Sequence, residues 1–63
     1  MKFHLREIRE SKGISIEELA KMSKVAKSAI VRIEAGTANP TLKTMHKLSR
    51  ALLVNVWQLV EFD

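Results

Sequence analysis

The chain has 63 residues, a formal net charge of +4 and an isoelectric point near 9.9, and it contains no cysteine. A chain this short is expected to form one domain with a small core and modest stability, and without thiols it has neither a disulfide frame nor a thiolate metal site. His4 and His46 stand far apart without a second ligand pair, so no metal site is expected. No apolar run is long enough to span a membrane and no signal-peptide pattern is present, which leads us to expect a cytoplasmic protein with no membrane partner. The basic balance suits an anionic partner without identifying one.

Apolar residues recur at intervals of three and four along the whole chain, and β-branched residues never alternate. That period predicts an all-α fold of five short helices, with no sheet. The first helix is expected over residues 2–12, with Leu5, Ile8 and Phe3 facing inward and Arg6, Glu7, Glu10 and Lys12 in water. Gly13 suits the left-handed residue just past a helix end.

Ser15 opens the second helix. Ser15 and Glu18 form an S-x-x-E capping box, and Ile14 and Leu19 sit at the positions of a hydrophobic staple. Leu19, Ala20 and Met22 point to a core face, and Ser23 and Lys24 make the turn. Val25 and Ile30 repeat the staple spacing around a third helix over residues 27–35. Its cap position holds Ala26, which has no acceptor side chain; against Ser or Thr this costs about 1 kcal/mol. Gly36 ends the helix, and residues 37–40 form a loop.

Thr41 caps a fourth helix over residues 42–52, with Leu42, Met45, Leu48, Leu52 and either Ala51 or Leu53 as its apolar stripe. Lys43, Lys47 and Arg50 stay in water. Asn55 caps a short last helix, with Gln58 at the box position and Val54 and Leu59 as the staple. Glu61, Phe62 and Asp63 are expected to fray.

The second and third helices, joined by a tight turn, read as a helix-turn-helix that presents its second helix to DNA. At about 100° per residue, Lys27, Ser28, Val31 and Arg32 share one side of the third helix, opposite Ala29, Ile30 and Ile33. Lys27 and Arg32 suit guanine O6 and N7, Ser28 suits a base or a phosphate, and Val31 suits a thymine methyl. Taken alone, Lys27, Arg32 and Val31 each fit an ordinary solvated surface better, and only the two-helix spacing, the caps and the flanking pattern together favour DNA. No nucleophile–base pair, carboxylate dyad or phosphate-cradling glycine loop occurs, so an enzyme is not expected.

With those residues in view, the chain resembles the Cro/repressor type of helix-turn-helix proteins, the XRE family. The resemblance runs from about His4 to Leu59 and rests on LREIRESKGIS, EELA, the V-x-x-x-x-I-x-R-I-E-A-G run, NPTLKTMHKLSRAL and V-N-V-x-x-L. It implies a lambda-repressor-like bundle of five helices that regulates transcription, usually as a repressor. It also implies a homodimer on a pseudo-palindromic stretch of double-stranded DNA. Carried over by position, Lys27, Ser28 and Arg32 fall on base-reading positions. Ile16, through its backbone amide, and Thr37 and Asn39 in the loop after the third helix fall on phosphate-contacting ones. Arg9 and Glu34 fall on a family ion pair that ties the first helix to the third.

Three departures stand out. Ile16 replaces the family's usual glutamine, Lys24 its turn glycine, and Ala26 its Ser or Thr. A left-handed Lys24 carries a backbone cost, and its side chain is a candidate for a phosphate. Trp57 stands where the family often has a polar residue. It is read either as a dimer contact, with Leu53, Val56 or Val60 nearby, or as a cover over the edge of the core. The rival functional class is a protein-interaction module, of which the antitoxin half of a toxin–antitoxin pair is the main form; that would add a protein partner. No cofactor or small-molecule ligand is expected.

Overall fold

The computed structural model describes residues 2–61. Five helices follow in order: α1 (Leu5–Ser11), α2 (Ile16–Ser23), α3 (Lys27–Ala35), α4 (Leu42–Leu52) and α5 (Val56–Leu59). A two-stranded antiparallel pair, β1 (Lys2–Phe3) with β2 (Val60–Glu61), joins the two ends in the register Lys2 to Glu61 and Phe3 to Val60.

The strand pair corrects the expectation of a sheet-free fold. It also shortens the first helix, which starts at Leu5 and not at residue 2. The backbone of residues 2 and 3 is committed to the pair, and the His4 N–H donates to the Leu59 carbonyl at 2.8 Å. Glu61 therefore lies in a strand instead of fraying. The expectation for Phe62 and Asp63 falls outside the described residues.

The buried apolar core draws one residue each from α1, α2, α5 and β2, two from α3 and three from α4, with Val25 added from the turn between α2 and α3. Leu5, Leu19, Ile30, Ile33, Leu48, Leu52 and Leu59 are fully buried, and Val25, Met45 and Val60 complete the cluster. α2 packs on both α3 and α4, and this fixes the helix pair of the motif against the scaffold.

Three apolar residues assigned to the core lie outside it. Met22 is 52% exposed. Ser23 takes the buried place on α2, because its hydroxyl donates to the Leu19 carbonyl at 2.6 Å and accepts from the Val25 N–H at 3.2 Å. A polar group paired this fully is buried at little cost. Leu42, the first residue of α4, faces solvent. Leu53 closes α4 in the left-handed conformation, φ 58°, which swings its side chain off the stripe; half-buried Ala51 holds the core-facing place.

Candidate nucleic-acid interface

The motif is assembled from its caps. Ser15 Oγ accepts from the Glu18 N–H at 3.0 Å while the Glu18 carboxylate accepts from the Ser15 N–H at 3.0 Å, so two end donors of α2 are satisfied reciprocally. The Ser15 N–H and hydroxyl hold the Glu18 carboxyl below the ordinary carboxylate range. Lys24 takes the left-handed position after α2, φ 61°, and its N–H returns to the Ala20 carbonyl at 2.9 Å. The left-handed turn position is thus held by a lysine, at the steric cost that an L side chain carries there.

α3 begins at Lys27 after Ala26, with no side-chain cap and no acidic residue in its first turn. It ends at Gly36, φ 79°, where the Gly36 N–H reaches Ile33 at 3.1 Å and the Thr37 N–H reaches Arg32 at 3.0 Å. Ile30 and Ile33 bury one side of the helix, leaving Lys27, Ser28, Val31 and Arg32 exposed on the other.

A buried ion pair fixes the roll of this helix. Arg9 Nε donates to Glu34 Oε2 at 2.7 Å and a second guanidinium nitrogen donates to Oε1 at 3.0 Å. Another donates to the Ile14 carbonyl at 2.8 Å, and Arg6 Nε adds a bond to Glu34 at 3.3 Å. The Glu34 side chain is 1% exposed and that of Arg9 10%. Burial alone would raise the Glu34 carboxyl, but the bonds and charges of Arg9 and Arg6 outweigh it and hold the group below its ordinary range. Such a fork of parallel bonds sets angle as well as distance. α1, α3 and the entry to α2 therefore meet at one guanidinium. Arg6, three residues before Arg9 and on the same side of α1, was not singled out from the sequence, although that spacing marks it.

The flanking positions separate into three groups. Arg32 and Asn39 line one shallow groove of about 270 Å³, shared with Pro40, Thr41 and Thr44. Thr37 is exposed, but its hydroxyl donates to the Arg32 carbonyl at 3.3 Å. Lys24 lies elsewhere, lining a groove with Lys47 and Arg50 of α4. The Ile16 side chain packs on the core, and its neighbours Glu17 and Glu18 bring two carboxylates to the first turn of α2. Glu17 reaches across to α3, its Oε1 3.6 Å from Lys27 Nζ. Trp57 is 77% exposed, so it does not cover the core. No group of metal-ligating side chains comes together among the described residues, and no helix is long and apolar enough to cross a membrane.

The arrangement defines a helix-turn-helix with a buttressed second helix. A helix-turn-helix family model matches residues 5–56. The chain is 36% identical over 63 residues to an uncharacterized HTH-type transcriptional regulator of Archaeoglobus fulgidus, covering 100% of this chain and 90% of the relative. A second such regulator, from Methanothermobacter thermautotrophicus, is 36% identical over 52 residues, covering 82% and 75%. Among solved structures, the restriction-modification controller protein C.AhdI of Aeromonas hydrophila superposes with a TM-score of 0.86 at 37% identity, covering 90% of this chain and 86% of that one. The hypothetical transcription factor NHTF from Neisseria gives 0.81 at 31% identity, covering 87% and 62%.

The chain belongs to the Cro/repressor-type helix-turn-helix family, whose members are DNA-binding transcriptional regulators and not enzymes.

Proposed function

We propose that the protein is a sequence-specific repressor that works in the cytoplasm as a dimer on a pseudo-palindromic operator. In this reading α3 lies in the major groove and the whole chain serves as one DNA-binding domain. One observation carries it: Lys27, Ser28, Val31 and Arg32 are exposed together on one side of a helix clamped from behind by the Arg9–Glu34 pair. Arg32 is the principal base reader and Lys27 the second, Val31 packs on a thymine methyl, and Ser28 takes a base or a phosphate. The backbone near Ile16, together with Thr37, Asn39 and Lys24, supplies phosphate contacts. Arg32 and Asn39 are positioned to work side by side, since they share a groove.

Self-association through α5 is supported by two large apolar residues left in water, Trp57 and the 87%-exposed Leu53. Leu53 also occupies a left-handed backbone position that costs about 1–2 kcal/mol. Trp57→Ala should weaken self-association in analytical ultracentrifugation; an unchanged association constant removes Trp57 from the contact.

Selection from a random duplex library tests the reading. The expected product is an inverted repeat with half-sites about 34 Å apart, bound with a steep salt dependence. Arg32→Ala should then weaken operator binding by about 1–3 kcal/mol and relax preference at one base position. No enriched motif would mean that the DNA face is degenerate, and the partner would be sought among proteins.

A further inference from the structure

We infer that Glu17 is a specificity-determining residue of the DNA face: placed opposite Lys27 across the two helices of the motif, its carboxylate fixes where the Lys27 ammonium sits and hence which base acceptor it reaches. The inference rests on the reading of α3 as the helix that enters the major groove.

The two groups belong to the beginnings of different helices. Glu17 is the second residue of α2 and Lys27 the first of α3, and Nζ lies 3.6 Å from Oε1. Among the described residues Lys24 and Arg32 have no carboxylate within 4.0 Å, so Lys27 alone of these three cations is paired. α3 has no acidic residue in its own first turn, and Ala26 offers no acceptor, so the carboxylate at this end is borrowed from α2.

The chemistry of lysine makes that loan consequential. An ammonium on a four-carbon stem is a point charge with three donors and no planar fork, so an unrestrained lysine takes whichever phosphate or base acceptor is nearest. At 3.6 Å the Glu17 carboxylate makes no hydrogen bond to Lys27, but its charge draws the ammonium toward α2 and narrows the positions it takes. The same carboxylate stands beside the Lys27 ammonium, so a pose that offers Lys27 itself a phosphate and not a base acceptor meets a like charge there, which penalises that pose more than the one with a base acceptor. Both side chains are more than half exposed, so the restraint contributes little to folding and acts chiefly on choice of ligand.

The experiment compares wild type, Glu17→Gln, Lys27→Met and the double variant on the selected operator, on its single-base-pair variants and on unrelated duplex. Glu17→Gln should flatten preference at one base pair by about twofold to fivefold, raise affinity for unrelated duplex, and steepen the salt dependence as Lys27 turns to phosphate. Lys27→Met should flatten the same base pair, and adding Glu17→Gln to it should change nothing further there. Unaltered preference in Glu17→Gln overturns the inference, as does a change that persists without Lys27, since Glu17 would then be reading a base itself. A wild-type protein that selects no operator overturns the underlying reading together with the inference. A clear operator with an indifferent Glu17→Gln overturns the inference alone.

Discussion

The two helices of the motif are nearly equal in length, 8 and 9 residues, yet they are fixed at opposite ends. α2 is closed at its start, where Ser15 and Glu18 exchange bonds and two carboxylates face the positive end of the helix dipole. α3 starts bare, with Ala26 and no acid, and is fixed near its far end, where Glu34 meets Arg9 and Arg6 and Gly36 turns the chain. The scaffold helix satisfies its own first turn. The helix proposed to meet DNA leaves the amides of its first turn without a side-chain cap and takes its orientation from the buried ion pair. A cap on α3 would stabilise the free protein at the place where another molecule's acceptors are expected.

The largest test of this contrast is Glu34→Gln. It leaves Arg9 buried with an uncompensated charge, and such a break costs about 3–5 kcal/mol. A chain of 63 residues has a total stability of about 3–9 kcal/mol, so urea unfolding should show at least about a third of the protein's stability lost. A loss below about 1 kcal/mol would mean that the far end does not hold α3. Acid should act on the same point. Because the folded Glu34 carboxyl is held low, its stabilisation is present above the ordinary carboxylate range and is lost as pH falls through the folded value. That part of the acid dependence should be missing from Glu34→Gln.

The starts of the helices give a smaller, paired effect. Ser15→Ala should lower stability by about 1 kcal/mol and Ala26→Ser should raise it by about as much, read from thermal melts. Equal and negligible changes would erase the difference between the two starts.

The smallest effect lies outside both helices and serves as a control. His4 places Nδ1 3.2 Å from Glu7 and Nε2 3.1 Å from Glu61. Only an imidazolium donates from both nitrogens, and the bonds to Glu7 and then Glu61 raise its pKa above 6.5. The stabilisation is full below the unfolded value and fades as pH rises through the folded one. A stability profile of His4→Gln should lack this alkaline-side step and keep the Glu34 acid step unchanged.

The helices were legible in the sequence wherever side chains announce their ends. The Ser15–Glu18 box, the αL glycines and the Thr41 cap, whose Oγ1 accepts from the Thr44 N–H at 3.1 Å, are local signals, and α2, α3 and α4 lie where those signals put them. What remained hidden is non-local. Two-residue strands carry no alternation to detect, and Phe3 finds Val60 only after the helices have brought the ends together. Met22 and Ser23 were sorted by polarity, which says nothing of a hydroxyl that can satisfy itself within one turn. At the proposed DNA face, the spacing along α3 shows which residues share a side. The reach of Glu17 from a neighbouring helix, and the grouping of Lys24 with Lys47 and Arg50, depend on packing.

The strand pair has a mechanical consequence. Lys2 is opposite Glu61, so the outermost residues of the two strands are partners, and the strands run antiparallel from that shared edge. Tension applied through the two ends of the chain loads the cross-strand bonds one after another, as a zipper is opened, and never in parallel. The pair should part at low force, followed by the bond from the His4 N–H to Leu59, while the buried Arg9–Glu34 junction still holds α1 to α3. Tension through the two ends would therefore act first on the strand pair and the His4–Leu59 bond and only later on the helix proposed to read DNA.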